Sequence, residues 1–237
     1  MDITTTSVTG VLVTGKTTER YPLARISVDG WLKQDYPGPR KLLIINDHPT
    51  DALYPEGAPE GTIELRPQGD FRLGDLRNIG IEQADTDYIV QWDDDDRSRY
   101  DRLSWQVDST DQGKMSIFRW EIHYNLTNGK AFANCGDEIR CKGFPGTMLW
   151  PRNCKTRFPS KGKAEDTIFA LDAKKEVGLQ VLQNNPCLYL RCFHGNNTWS
   201  EKHVMKRKRG SRDLTLAEHV YVDRLRDTVY KDYLENQ

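Results

Sequence analysis

Apolar and polar positions change period several times along the chain, and the order of those changes points to a fold class. Val8 to Thr14 is rich in β-branched residues and alternates weakly, which reads as a first strand. Pro22 suits the first turn of a helix running to about Gln34, with Leu23, Ile26, Trp31 and Leu32 available for burial. Tyr36-Pro37-Gly38-Pro39 marks a turn, and Lys41 to Ile45 is an apolar run suited to a buried parallel strand. Asn46-Asp47-His48-Pro49 ends that strand. Asp51 to Gly61 is a loop, and Thr62 to Arg66 a short strand. Leu73, Leu76, Ile79 and Ala84 recur at helical spacing just before the apolar strand Tyr88 to Gln91.

Strand, helix, strand, helix, strand calls for a mostly parallel sheet flanked by helices, an α/β fold of Rossmann-like type. Ligands of such sheets bind beyond the carboxyl ends of the strands, where Thr14, Asn46-Asp47 and Asp93 to Asp96 fall. The later pattern is less regular. A short helix is expected around Arg102 to Val107, and strands over Lys114 to Trp120 and Glu121 to Cys135, the second folded at Asn128-Gly129. A glycine-rich segment, Gly143 to Thr147, precedes the apolar stretch Met148 to Trp150. A helix over Ala164 to Lys174 opens on Glu165-Asp166, and strands follow over Val177 to Leu182 and Cys187 to Phe193. After a basic tract, Thr215 to Glu218 is a capping box for a final helix. Ala217, Tyr221, Leu225, Val229 and Tyr233 form its packing row.

Tyr88 to Asp96 is where chemistry concentrates: an apolar strand runs without a linker into Asp93-Asp94-Asp95-Asp96. Four adjacent carboxylates either form a solvated turn or face a cation, because burying them unpaired is too costly. Composition narrows the classes. At 237 residues with 37% hydrophobic content the chain can bury one large core. It lacks an apolar run of roughly 20 residues, and its N-terminal stretch has no signal-peptide pattern, so a cytoplasmic location is expected. Five cysteines without C-x-x-C spacing read as reduced, mostly buried thiols. A net charge of −1 excludes a uniformly basic nucleic-acid binder, though Lys206-Arg207-Lys208-Arg209 is a local basic patch.

The order of these landmarks resembles the family 2 glycosyltransferases of the GT-A fold. The likeness spans roughly positions 8 to 200. It rests on the strand ending near Thr14, Asn46-Asp47, Arg77-Asn78-Ile79-Gly80, the acidic run, Glu165-Asp166, and His194-Gly195-Asn196-Asn197-Thr198. It implies a GT-A domain over 1–212, with residues 213–237 as a C-terminal helix packed on the same domain. Asp93-Asp94-Asp95 would be the D-x-D motif: Asp93 and Asp94 toward the donor, Asp95 on a divalent metal, and Asp96 a possible helper. His194 would be a further metal ligand, which favours Mn²⁺ over Mg²⁺; by itself a histidine at a strand end is as readily structural. Asp166 would be the general base and Glu165 its support, although two acids opening a helix also complement the helix dipole. Thr14, Asn46, Asp47 and Arg77 complete the expected donor contacts. Asn46 departs from the family, which carries an aspartate there, and Arg77 has a surface salt bridge as its alternative. The glycines of Gly143 to Thr147 fall where the family shapes its sugar pocket.

The resemblance implies inverting transfer of a sugar from a nucleotide-sugar donor, a UDP-sugar by expectation, to a free hydroxyl on a saccharide or other soluble acceptor. Three other readings stay open. One is a phage-type enzyme acting on hydroxymethylated bases in DNA. Another is a sugar-phosphate nucleotidyltransferase, for which Thr14-Gly15-Lys16 is a faint version of the expected loop. The third is a non-catalytic sugar- or nucleic-acid-binding module, against which the intact Glu165-Asp166 pair argues. Trp199 to Arg212, polar and basic, is expected to be loose until donor binds and then to close over its diphosphate.

Overall fold

The computed structural model describes residues 2–236. In chain order it forms β1 (Val8–Thr14), α1 (Tyr21–Leu32), β2 (Arg40–Asn46), β3 (Thr62–Leu65), α2 (Leu73–Gln83) and β4 (Tyr88–Gln91). After the four acids come β5 (Arg97–Ser98), α3 (Arg102–Ser109), β6 (Met115–Phe118), β7 (Trp120–Asn125), β8 (Ala131–Cys135) and β9 (Phe144–Pro151). The chain continues through α4 (Glu165–Val177), β10 (Leu179–Leu182), β11 (Tyr189–Phe193), α5 (Glu201–Val204), α6 (Leu216–Thr228) and α7 (Lys231–Glu235).

Seven strands make the main sheet, in the order β10-β6-β9-β4-β1-β2-β3. Every neighbouring pair is parallel except the two made by β9. The period of two along each strand sends alternate residues to opposite faces. Val8, Leu12, Leu42, Ile44 and Val90 pack against α1 and α3. Val11, Leu43, Ile45 and Ile89 pack against α2 and α4 on the other side. This is the expected α/β layering, and it leaves the carboxyl ends of β1, β2 and β4 at one edge.

A second sheet, β5-β11-β7-β8, lies beside the first. Its β7–β8 hairpin turns at Asn128-Gly129, with Gly129 at φ +72°, a left-handed conformation that glycine adopts without steric cost. Leu190, Cys192, Ile122 and Tyr124 of this sheet share a cluster with Val222 and Leu225 of α6 and with Tyr230. Thr215 and Glu218 close the capping box at the start of α6. All five cysteines are free and buried. Among the described residues no helix is long and apolar enough to cross a membrane.

Three expectations need correcting. The segment 114–120 does not run on as one strand: β6 stops at Phe118, and β7 joins the other sheet. Gly143 to Thr147 is mostly strand, since β9 begins at Phe144 and pairs with β6 and β4. A Cβ on Gly143 would lie 2.6 Å from the Phe118 carbonyl oxygen, so its bareness serves strand packing. Finally, Ala217 and Leu32 are exposed. The rest of the expected row, Tyr221, Leu225, Val229 and Tyr233, does pack on the second sheet's cluster, with Glu218 and Val222 buried beside it.

Gly10 sets the distance between β1 and α1. A Cβ there would lie 2.7 Å from both Leu42 Cδ1 and Trp31 Cζ3. Gly10→Ala is expected to destabilise the protein by about 1–3 kcal/mol through overpacking. Urea denaturation monitored by tryptophan fluorescence checks this, and a wild-type midpoint would refute it.

Candidate active site

The acids at the end of β4 face a cavity of about 430 Å³ at the carboxyl edge of the sheet. Its walls are the loop after β1 (Thr14 to Thr17) with Arg20, Asp47 after β2, the start of α2, the acids themselves, and residues 162–166 leading into α4. Arg191 and residues 197–199 close the far side. Gly15 and Lys16 both take positive φ, and Lys16 Nζ lies 3.9 Å from Asp47 Oδ2. Ala164 is also left-handed, at φ 58°, which turns the chain abruptly into α4.

Arg77 of α2 ties the two acidic motifs together. Its Nη2 donates to Asp93 Oδ1 at 3.1 Å and its Nη1 pairs with Glu165 Oε1. The guanidinium is buried, so the surface salt bridge is not what the structure shows. Burial works against its charge, but Asp93, Glu165 and Asp166 together raise its pKa. Burial also lifts Glu165 above the usual range, partly offset by Arg77. Asp93 is raised by burial as well, with Arg77 opposing and Asp95 adding to the shift. Asp166 opens α4 at the cavity wall, one Oδ accepting from the Thr167 amide.

On the other side Arg20, just before α1, grips the next two acids. Its Nε donates to Asp94 Oδ2 at 2.9 Å, and its Nη2 donates to Asp94 Oδ1 and, at 3.1 Å, to Asp95 Oδ2. The same Asp95 oxygen lies 3.2 Å from His194 Nε2 and accepts from Asn197 Nδ2 at 3.2 Å. Burial alone would raise the Asp95 carboxyl, yet these partners hold it well below the usual range. Arg20 was not among the residues singled out from the sequence. The arginine four residues after a glycine-lysine turn has no local acid partner to mark it.

Asp96 is tied to the second sheet, and Asn46 lies outside the cavity lining. Asp96 Oδ2 accepts from the Tyr189 hydroxyl at 2.7 Å and Oδ1 from the Cys192 amide at 2.8 Å. Each oxygen thus accepts one hydrogen bond from β11, which ties the acidic turn to the second sheet, while Asp96 still lines the cavity. Asn46 is fully buried below the cavity. Its amide donates to Glu64 Oε1 at 2.7 Å and to the Asp51 carbonyl at 3.0 Å, because the loop after β2 folds back on it. Thr14, Asp47, Arg77, Asp93 to Asp96, Glu165 and Asp166 line the cavity; Asn46 does not, and His194, although it reaches Asp95, does not either. Residues 143–147 do not, whereas Trp199 does, its ring stacked on His203 and its other neighbour the Lys163 ammonium at 5.0 Å.

The basic tract is anchored rather than free. Val204 is buried and its carbonyl meets His123 Nδ1, while Asn134 Oδ1 accepts from the Lys208 amide and the Ser211 hydroxyl.

The donor set suits a hard divalent ion. Carboxylate oxygen and imidazole nitrogen are ligands that Mn²⁺ accepts readily. The 3.2 Å between Asp95 Oδ2 and His194 Nε2 matches the roughly 3 Å spacing of adjacent ligands about 2.1 Å from such an ion. Among the described residues no three acidic, cysteine or histidine side chains converge on one point. That is not required of Mg²⁺-type sites, which use one or two carboxylates and complete their shell with substrate phosphates and water.

No family profile and no curated protein matches the chain by sequence. Solved structures do match, and those named below are glycosyltransferases. S. aureus TarS 1-349 aligns with a TM-score of 0.56 at 17% identity, over 78% of this chain and 60% of that one. The same protein in complex with UDP-GlcNAc aligns at 0.58 and 14%, over 94% and 74%. The mannosyltransferase PcManGT from Pyrobaculum calidifontis, in complex with GDP-Man and Mn²⁺, aligns at 0.63 and 15%, over 81% and 58%. The chain has a glycosyltransferase fold. It spans about three fifths of the length of TarS 1-349.

Burial, followed by Asp95 and Asp93, pushes the Asp96 carboxyl well above the usual range. A raised folded-state pKa contributes stability below the unfolded value, about 3.9, and that contribution fades as pH rises through the folded value. Asp96→Asn is therefore expected to gain on wild type in stability as pH rises from about 4 toward 8. Urea midpoints across that range check it; a difference that stays constant with pH would contradict the assignment.

Proposed function

We propose that the chain is an inverting, metal-assisted glycosyltransferase of the family 2 type, using a nucleotide-sugar donor, a UDP-sugar in the first instance. The observation that carries this reading is the Arg77 bridge. It joins Asp93 of the acidic strand end to Glu165 of the second acidic motif, so that both motifs face one cavity. The fold shared with TarS and PcManGT supports the same reading.

Asp166 takes the proton from the acceptor hydroxyl as that oxygen attacks the anomeric carbon. The bond from that carbon to the diphosphate oxygen breaks, its electron pair leaving with the nucleoside diphosphate. One displacement inverts the anomeric centre. Glu165, held by Arg77, positions the start of α4 and with it Asp166. Asp93 and Asp94 contact the donor, with Thr14 and Asp47 beside them. A divalent ion held by Asp95 and His194 would supply positive charge to the departing diphosphate. Lys16, Arg72 and Arg191 project cations into the same cavity and add to that field.

The acceptor is proposed to be a saccharide or another molecule with a free hydroxyl. A nucleic-acid acceptor is a second reading, favoured by exposed Lys155, Lys161, Lys202, Lys206 and Arg209, which among the described residues form no salt bridge. If it holds, hydroxymethylated duplex will bind in a gel shift and weaken steeply with salt, as each neutralised phosphate releases counterions. No shift at low salt with donor and Mn²⁺ present removes it.

The function is tested by screening nucleotide sugars for slow hydrolysis with Mn²⁺, then repeating the cognate donor with acceptor. Asp166→Asn is expected to lower transfer by about 10²–10⁴-fold while donor affinity by calorimetry stays near wild type. A variant that keeps most of its transfer rate would move the base elsewhere, and no cleavage of any donor would remove the glycosyltransferase reading.

A further inference from the structure

Arg20 has no part in the reading above, yet it occupies the most charged position in the cavity. Its guanidinium makes a two-pronged contact with Asp94 and a third contact, at 3.1 Å, with Asp95 Oδ2. That oxygen is the one that lies 3.2 Å from His194 Nε2. A cation therefore already stands against the oxygen that Asp95 would offer to a metal. The fourth contact, Nη1 to the Asn196 carbonyl at 3.4 Å, is long and weak.

The side chain is also placed to move. Arg20 lies in a short 3-10 turn before α1, lines the cavity, and its side chain keeps 23% of its surface exposed. Among the described residues no aromatic ring stacks on it as Phe158 does on Arg77, whose guanidinium carbon lies 5.4 Å from that ring. A diphosphate entering the cavity presents the same planar pair of oxygens to a guanidinium that Asp94 does now.

We infer that Arg20 is a stand-in cation that competes with the divalent ion for Asp95, and that a bound diphosphate relieves the competition by drawing the guanidinium onto itself. This rests on the metal-assisted reading of the site given above. It makes metal and nucleotide bind as a pair: without nucleotide the acids are satisfied by arginine, and the ion meets a like charge. It also balances the charge of two of the four adjacent acids, Asp94 and Asp95. The coupling is reciprocal, so metal must favour nucleotide as much as nucleotide favours metal.

Mn²⁺ binding to the whole protein, followed by the loss of free-ion electron paramagnetic resonance signal, tests this with no turnover involved. Without nucleotide, Arg20→Gln is expected to bind Mn²⁺ about tenfold or more tightly than wild type, the equivalent of removing one competing contact of charge-assisted strength. Arg20→Lys, which keeps the charge, is expected to stay near wild type. With saturating UDP the gap between wild type and Arg20→Gln should close, and the Gln variant should bind UDP more weakly. Equal or weaker Mn²⁺ binding by Arg20→Gln in the absence of UDP would overturn the inference.

A second measurement needs no stable Gln variant. In wild type, the Arg20 Nε–H resonance, assigned by its loss in Arg20→Lys, should shift when Mg²⁺ and inorganic pyrophosphate are added together. A resonance that does not move under saturation would also overturn the proposal. If neither wild type nor variants take up Mn²⁺ with or without UDP, the metal-assisted reading itself fails, and the competition fails with it.

Discussion

Four consecutive carboxylates at the end of a buried strand are tolerable only if cations reach them from elsewhere in the chain. Local sequence cannot supply those cations in the right directions, because β4 is hemmed in by β1 and β9 and by helices on both faces. Arginines reach them from four other places in the chain. Arg20 before α1 takes Asp94 and Asp95, and Arg77 of α2 takes Asp93. Arg102 of α3 lies beneath the turn, fully buried between Trp92 and Tyr189, with guanidinium-to-ring distances of 4.9 Å to each. Burial pushes its pKa down to about 10, which still leaves it charged at neutral pH. Arg191 of β11 completes the set from the second sheet, facing Glu121 and Asp96.

This charge balance couples the site to the fold. Breaking one buried partner strands the other without solvent, a loss of several kcal/mol in general. The acids are thus both the candidate chemistry and a structural junction where both helical layers and both sheets meet. The unequal shifts within the run follow from the same arrangement. Asp95, with His194, Arg20 and Asn197 around one oxygen, stays ionised, whereas Asp96, enclosed by β11, is pushed the other way.

The second sheet has its own polar centre, and it controls the tract on the far side of the cavity. His123 and Asn134 fasten residues 204–211 to β7 and β8. Motion over the cavity is left to what precedes that anchor. Trp199 reaches across to Lys163, which sits in the loop leading to Glu165 and Asp166. The aromatic contact links the two rims, so a closing movement of one would carry the other.

Much of the architecture was readable because it is carried by local rules. Periodicity placed β1, β2, α2 and β4, and the capping box of Thr215 and Glu218 marked the start of α6. The chain order of the acids, Glu165-Asp166 and His194 suggested one site only through its likeness to the family 2 glycosyltransferases. Tertiary structure alone decided which of those side chains face the cavity. Asn46 looked like a donor contact and was claimed by Glu64 and the folded-back loop; Asp96 lines the cavity but is also tied to Tyr189 and Cys192. Arg20 and Arg191, carrying no local motif, became cavity walls only through packing. The physical reason is the same in each case. A strand's period states which face a residue belongs to, but which charge meets which depends on distances across 70 or more residues, as for Arg20 and Asp94, that only the folded chain creates.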